Sequence, residues 1–216
     1  MKKLALLTIL SLATLNSANA ALISVGSYAF DDSAAISSIS SSTNLSSSYN
    51  GTSAITDLDV STYIVGNGSA AGSAQFDFSR NIYNGSNDDL VLYFLRAAEE
   101  PLSASFNVAI GSTTNTYDAT LNTFVDAEGV TQKYQVAVNG GFLDLLTATI
   151  NLDDFGIAAD GSITNYLLSG LDGTDRFALG AGFYTSVPVS PVPVPTALVL
   201  FLSGIAGLGL FSRRKK

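Results

Sequence analysis

The chain has 216 residues, no cysteine, no histidine and a formal net charge of −8. The missing cysteine excludes disulfides and thiolate metal sites, and the missing histidine excludes the commonest general base and imidazole ligand. All eighteen acidic residues lie between Asp31 and Asp175 beside only four basic ones, so the central part carries −14. We therefore expect it to bind no nucleic acid and to be repelled by anionic lipid surfaces.

The first twenty residues have the pattern of a secretory signal peptide. Lys2 and Lys3 form a basic start, and the apolar stretch from Leu4 to Leu15 follows. Small residues at Ala18 and Ala20 form the cleavage pattern, so we predict Sec-dependent export and cleavage after Ala20. The alternative is an uncleaved amino-terminal anchor, although the apolar stretch is short for a membrane span.

Residues 21–186 have the pattern of an all-β domain. Leu22 to Phe30 is rich in β-favouring residues, which predicts an opening strand, and Leu90 to Leu95 is continuously apolar, which predicts a strand buried on both faces. Apolar and polar residues alternate around positions 76–78, 106–110, 134–138, 148–152 and 177–183. Turn signals such as Asn84-Gly85 separate these stretches. Roughly eight to ten short strands predict a β-sandwich of jelly-roll or Greek-key type.

The segment Ser33–Ser53 interrupts this pattern. Serine or threonine occupies 12 of its 21 positions, and few apolar residues lie among them. Such a composition predicts a long, solvated surface loop. O-glycosylation of its hydroxyl groups is the alternative use of the same residues.

The stretch from Ser53 to Tyr63 contains a candidate cation site. Carboxylates at Asp57 and Asp59, backbone carbonyls and the Thr62 hydroxyl are the hard oxygen ligands that Ca²⁺ prefers. The stretch resembles the Ala-x-Asp-Gly-Asp-x-x-Thr-x-Trp loop of galactose-binding-like, discoidin-type β-sandwich modules. That resemblance implies a structural Ca²⁺ at Asp57, Asp59 and Thr62, with Leu58 in place of the family's glycine and Tyr63 in place of its tryptophan. The alternative is a turn whose aspartates bond backbone amides.

The carboxyl end consists of three parts. Residues 187–195 form a proline-rich, extended spacer, and residues 196–216 comprise an apolar run followed by a basic tail. Counted from Val192, the run is about as long as a membrane-spanning helix. Gly204 and Gly207 suit close helix packing, and Arg213 and Arg214 begin a tail that the positive-inside rule places in the cytoplasm.

This end resembles the PEP-CTERM sorting signal of Gram-negative bacteria. The resemblance is carried by Val192-Pro193-Val194-Pro195, the run Leu-Phe-Leu-Ser-Gly-Ile-Ala-Gly-Leu-Gly-Leu and the tail Arg-Arg-Lys-Lys. Pro193-Val194-Pro195 replaces the name-giving Pro-Glu-Pro and matches the Val-Pro-x-Pro variant. The resemblance implies an inner-membrane precursor, processing by an exosortase-type enzyme, and association with exopolysaccharide, biofilm or extracellular matrix.

The sequence therefore predicts an exported, non-catalytic protein of the cell surface or extracellular matrix. One alternative is a glycan-binding module that stacks sugars on Tyr63, Tyr83 or Tyr117, and another is a sandwich tethered permanently to the membrane. A hydrolase is disfavoured because Asp153-Asp154 has no identifiable partner carboxylate and the serines have no histidine base.

Overall fold

A computed structural model describes residues 22–47, 56–67 and 71–183, and the fold is all-β, as predicted. A short 3₁₀ helix at Leu152–Phe155 precedes the thirteenth strand. No helix in these three ranges is long and apolar enough to cross a membrane. The described strands are β1 (Leu22–Val25), β2 (Tyr28–Thr43), β3 (Leu45–Ser47), β4 (Ile64–Gly66), β5 (Gly72–Tyr83), β6 (Leu90–Arg96), β7 (Ser103–Ile110), β8 (Thr113–Leu121), β9 (Thr123–Val125), β10 (Thr131–Lys133), β11 (Gln135–Val138), β12 (Gly141–Ile150), β13 (Ser162–Leu171) and β14 (Arg176–Phe183).

Eight strands close into an antiparallel barrel. Their hydrogen-bonded order is β2–β5–β13–β7–β8–β12–β6–β14, and β14 pairs back onto β2. Because the ring closes, it leaves few free backbone edges. Outside the ring, β1 pairs with the start of β2, β11 pairs with β12, and β4 and β3 continue from β14. The β9–β10 hairpin is a separate two-stranded sheet.

The closed ring confirms the all-β class but not the predicted sandwich. Two separate sheets were expected, whereas every strand of the ring has a hydrogen-bonded neighbour on both sides. The predicted signal helix and the predicted carboxyl-terminal membrane helix both lie outside the described residues.

The barrel interior is filled by one apolar cluster to which all eight strands contribute. Phe94, Phe106 and Phe177 lie at its centre and are fully buried. The rings of Phe94 and Phe106 stack with centroids 4.7 Å apart, and Phe177 meets Phe94 edge-on at 5.3 Å. Offset-stacked and edge-to-face pairs are the favoured aromatic geometries, so this cluster holds the opposite sides of the barrel together.

A second apolar cluster covers part of the barrel from outside. It includes Tyr93, Leu145 and Leu179, which point outward from β6, β12 and β14. The β1–β2 hairpin, the segment 58–63 and β11 pack over these residues. We call this side of the barrel, formed by β6, β12, β14 and the start of β2, the covered wall. Its central strand β6 is buried at all seven positions, which confirms the prediction for Leu90–Leu95.

The remaining side of the barrel faces solvent. Buried residues alternate with exposed or half-buried ones along β5, β13, β7 and β8. Most of the outward positions are serine, threonine, asparagine, glutamine or aspartate. One row across the sheet consists of Thr43, Ser73, Ser169, Asn107 and Thr116, each opposite the next. We call this outer surface the polar wall.

The loop predicted for Ser33–Ser53 is wrong over its described part. Residues 33–43 belong to β2, and β3 (Leu45–Ser47) follows after a turn at Asn44, whereas residues 48–53 lie outside the described ranges. Ala34, Ala35 and Ile36 are buried, and they bring the serine-rich segment into the sheet. Tertiary packing has therefore overridden the loop composition.

Other strands also differ from the expectations. The opening strand is in fact two, β1 and β2, joined by a turn at Gly26, where φ is +59°. The strand expected through Leu152 ends at Ile150, because Asn151 caps the 3₁₀ helix by accepting the amide of Asp153. β8 and β13 were not predicted, since threonine, serine and asparagine occupy most of their outward positions.

Candidate functional site

The structure brings the three predicted calcium ligands together in one turn. The Thr62 hydroxyl donates to the Asp57 carboxylate at 3.1 and 3.2 Å and lies 2.7 Å from the Asp59 carbonyl oxygen. Asp57 Oδ1 also accepts the amide of Asp59 at 3.0 Å. Asp59 Oδ1 instead accepts the amide of Ser61 at 2.8 Å. These bonds are typical of turns in which aspartate replaces a backbone acceptor.

Leu58 adopts a backbone conformation that favours glycine. Its φ is +62°, in the left-handed region where a residue with a Cβ is strained. The leucine side chain packs against the outer apolar cluster. This apolar contact offsets part of the backbone strain at Leu58.

The oxygens of the predicted calcium ligands already take part in hydrogen bonds within the turn. Ca²⁺ binds six to eight oxygens, whereas the Asp57 carboxylate and the Asp59 carbonyl already accept hydrogen bonds here. No group of three or more acidic, histidine or cysteine side chains that could hold a metal occurs in the described part of the chain. These hydrogen bonds match the alternative prediction, a turn whose aspartates bond backbone amides. Calcium binding stays a prediction that melting curves with added Ca²⁺ or EDTA can test.

Tyr63, next in the chain, adjoins a bidentate ion pair. The Arg176 guanidinium lies 6.0 Å from the centroid of the Tyr63 ring and binds both oxygens of Glu100 at 2.6 and 3.1 Å. Burial alone would raise the pKa of Glu100, but the hydrogen bonds and charge of Arg176 outweigh it and lower that pKa. Tyr63 is thereby held beside a fixed charge pair.

Every cation in the described ranges is paired with a carboxylate. The pairs are Arg80–Asp31, Arg96–Asp175, Lys133–Asp144 and Arg176–Glu100. Fourteen of the eighteen carboxylates therefore have no cation partner there. The surface of the barrel is strongly acidic, and no cationic group is left over to bind an anionic polymer.

The ring of Tyr117 packs against two buried aromatic rings. Its ring stacks on Phe106 at 6.4 Å and on Phe155 at 6.2 Å, and its hydroxyl donates to Asp154 at 3.1 Å. Burial raises the pKa of Tyr117, and the Asp154 carboxylate raises it further. These contacts leave less of the half-buried Tyr117 ring for the predicted stacking of a sugar. Tyr83 ends β5 and is half-buried.

The sequence did not predict a hydrogen-bonded cluster of Asn84, Asp89 and Asp153, which we call the polar cluster. The Asn84 side chain donates to Asp153 Oδ1 at 2.7 Å and to the Ile157 carbonyl at 2.6 Å. Asp89 accepts the amides of Gly85 at 2.7 Å and Leu152 at 2.9 Å. Burial raises the pKa of Asp89, and the charge of Asp153 adds to the effect. The Asn84-Gly85 turn signal was visible in the sequence, but its partner loop was not.

The hydrogen bonds of the polar cluster also concern the Asp153-Asp154 pair, which was considered for a hydrolase. Asp153 binds Asn84, whereas Asp154 binds Tyr117. The two carboxylates thus serve different neighbours, each as part of the packing between loops.

The residues of the predicted processing signals, Ala18, Ala20, Val192, Pro193, Val194, Pro195, Gly204, Gly207, Arg213 and Arg214, lie outside the described ranges. Comparison with known proteins does not identify a family, since no family model and no curated protein matches the chain.

Proposed function

We propose that the chain is an exported, non-catalytic protein of the cell surface or extracellular matrix. The observation that carries the proposal is the acidic barrel itself. All four of its cations are paired, and fourteen carboxylates face no cation. High net charge keeps a protein dissolved and separate from anionic polymers and lipids. Together with the signal pattern and the sorting pattern, this supports a domain that is released from the inner membrane by an exosortase-type enzyme.

We further infer that the barrel is flattened into two layers, close to the expected jelly-roll sandwich. The ring closes through two residue pairs between β12 and β8 and two between β14 and β2, the fewest of any pairing in the ring. The β13–β7 pairing has three, and the others have six to eight. These short contacts support two sheets joined at their edges: β2–β5–β13–β7–β8 and β12–β6–β14.

Mass spectrometry of the protein purified from its own host tests the export and sorting. We expect an amino terminus at Ala21 and a carboxyl terminus within or before the proline spacer at 187–195. A mature protein that keeps the apolar run from Thr196 would contradict sorting and leave the permanently tethered alternative. An intact Met1 would contradict the cleaved signal.

The polar wall favours glycan binding as a second candidate function. Its rows of hydroxyl and amide side chains match the hydrogen-bonding groups of a neutral sugar polymer. The partly covered ring of Tyr117 and the paired cations count against stacking and against acidic polysaccharides. An array of neutral and acidic glycans probed with the processed protein tests this. Binding restricted to neutral glycans supports the idea, and no binding at all contradicts it.

A further inference from the structure

One stretch of the barrel wall has an open backbone edge. β14 pairs with β2 only as far as Ala35, and β1 pairs with β2 only as far as Asp31. Beyond Ala35, β2 is paired on its β5 side alone among the described strands. We call Ser37–Thr43 the open edge. These seven residues are about as many as a typical β-strand has, so the edge is long enough to pair with another strand.

There is room for such a strand beside the open edge. A cleft of about 540 Å³ is lined by Ser37, Ser38, Ile39, Ser40, Ser41, Ser42 and Thr56. No residue of β5 lines the cleft, which places it on the side of β2 away from β5. The register of β2 against β5 shifts between Ile36 and Ser38 and again between Ile39 and Ser41. Such bulges bend a strand, and here they accompany the departure of β2 from β14.

Of the usual protections against edge pairing, the open edge has register shifts but neither charge nor proline. Natural edge strands carry lysine, proline or inward-pointing charges that prevent association. The open edge has no charged residue and no proline, and none occurs anywhere from Ser33 to Thr56. Its side chains are small apart from Ile39, so another backbone can approach closely.

Charge indicates which partner fits. The central part of the chain carries −14, so two copies repel each other over most of their surface. The open edge itself carries no charge, and the Asp77 carboxylate of the neighbouring strand is hydrogen-bonded to Ser38, so two copies repel each other less along this edge than over the rest of their acidic surface. An antiparallel edge is also self-complementary, because a two-fold axis places the same strand opposite itself.

We propose that the open edge pairs with the open edge of a second copy of this chain, forming a continuous antiparallel sheet across a two-fold axis. The pairing gives an exported matrix protein a means of self-association. It does not depend on the sorting reaction or on any glycan.

Cysteine cross-linking tests the pairing in the full chain in its own host, where the chain has no other cysteine. Single cysteines at each position from Ser37 to Thr43 sample the open edge, because only the residue on the two-fold axis faces its own copy, and Ser105→Cys, exposed on the polar wall, is the matched control. Opposed residues in antiparallel strands lie within the Cα separation of a disulfide, so one edge position should give about tenfold more disulfide dimer than the control. Equal dimer at edge and control positions would overturn the proposal.

Two further measurements distinguish self-pairing from the binding of a glycan or another protein in the cleft. Ser41→Asp adds a negative charge to both paired edges and should reduce cross-linking, whereas Ser105→Asp should not. Higher salt should increase cross-linking, because it screens the repulsion between the acidic bodies. Edge cysteines that are shielded from a maleimide but form no disulfide would show a glycan or another protein in the cleft, which also overturns the proposal.

Discussion

The covered wall and the polar wall belong to one barrel but differ in what lies outside them. β6 in the covered wall reads Leu-Val-Leu-Tyr-Phe-Leu-Arg and is buried throughout, whereas β8 in the polar wall alternates between half-buried or buried and exposed positions. Both strands contribute to the interior cluster. The continuous apolar pattern of β6 therefore reflects a second layer of residues on its outer face. The alternating pattern of β8 reflects an outer face that is exposed to solvent.

The two walls also use charge differently. Arg96 and Asp175 form an ion pair that is almost fully buried in the covered wall, with side chains 5% and 3% exposed. Arg80, on β5, pairs with Asp31 but is 29% exposed. Buried ions need their partners far more than exposed ones do. The stability of the covered wall should therefore depend on individual side chains more strongly than that of the polar wall.

The largest expected effect is the loss of the buried cation. Arg96→Met leaves the Asp175 carboxylate buried without its partner, which should lower the free energy of unfolding by about 3–5 kcal/mol. Arg80→Met is the control and should cost less, because the Arg80 side chain is 29% exposed and the buried Asp31 carboxylate keeps its hydrogen bonds from the amide and hydroxyl of Ser33. Urea unfolding of the processed protein measures both. Equal losses would show that the two walls do not differ in this respect.

A matched pair of leucines tests the outer layer. Leu179 points outward beneath the outer cluster and is fully buried, whereas Leu167 points outward on the polar wall and is half-buried. Leu179→Ala should lower the free energy of unfolding by about 2–5 kcal/mol because it leaves a cavity. Leu167→Ala should cost less than about 1 kcal/mol. A loss at Leu167 as large as that at Leu179 would mean that the polar wall is covered too.

A smaller effect depends on pH. Burial alone would raise the pKa of Asp144, but hydrogen bonds from Lys133 and Gln135 outweigh it and hold the pKa below its ordinary value of 3.8. The ionised form therefore stabilises the fold above that pH, and the contribution is lost as pH falls through the lowered pKa. Asp144→Asn should cost about 1–3 kcal/mol at neutral pH, and the difference from the unmodified protein should shrink in acid.

The control for this pH effect is Asp118→Asn on the polar wall, where the carboxylate is exposed. Unfolding at several pH values measures both variants. A difference at Asp144 that stays constant down to strongly acidic pH would contradict a role for its charge.

The sequence predicted the strands that have a clear apolar pattern. It predicted few of the features that depend on pairing with other strands. The continuous run in β6 and the alternation in β5 and β7 follow directly from burial on two faces or one. The same rule failed for Ser37–Thr43, where exposed serines occupy a strand that is held by its pairing to β5. Closure of the barrel could not be predicted, because it depends on pairings between residues more than a hundred positions apart, such as Ala35 and Ala181.

The candidate site shows the same limit. The resemblance predicted that Asp57, Asp59 and Thr62 come together, and they do. It could not predict that the hydrogen bonds of the turn would occupy the oxygens a cation needs. The Arg176–Glu100 pair beside Tyr63 joins residues far apart in the chain, and no local pattern indicated it.

The smallest expected effects have opposite signs for two buried tyrosines. Tyr93 donates its hydroxyl to the Val25 carbonyl at 3.2 Å, which ties the covered wall to β1. Tyr166 lies inside the barrel, and its hydroxyl is buried without a hydrogen-bond partner. Tyr93→Phe should therefore cost about 0.5–1.5 kcal/mol, whereas Tyr166→Phe removes an unsatisfied polar group and should be neutral or stabilising by about 1 kcal/mol. Thermal or urea unfolding of the two variants decides the matter. Destabilisation by Tyr166→Phe would mean that the hydroxyl has a partner inside the barrel, such as a buried water molecule, and that the interior is not wholly apolar.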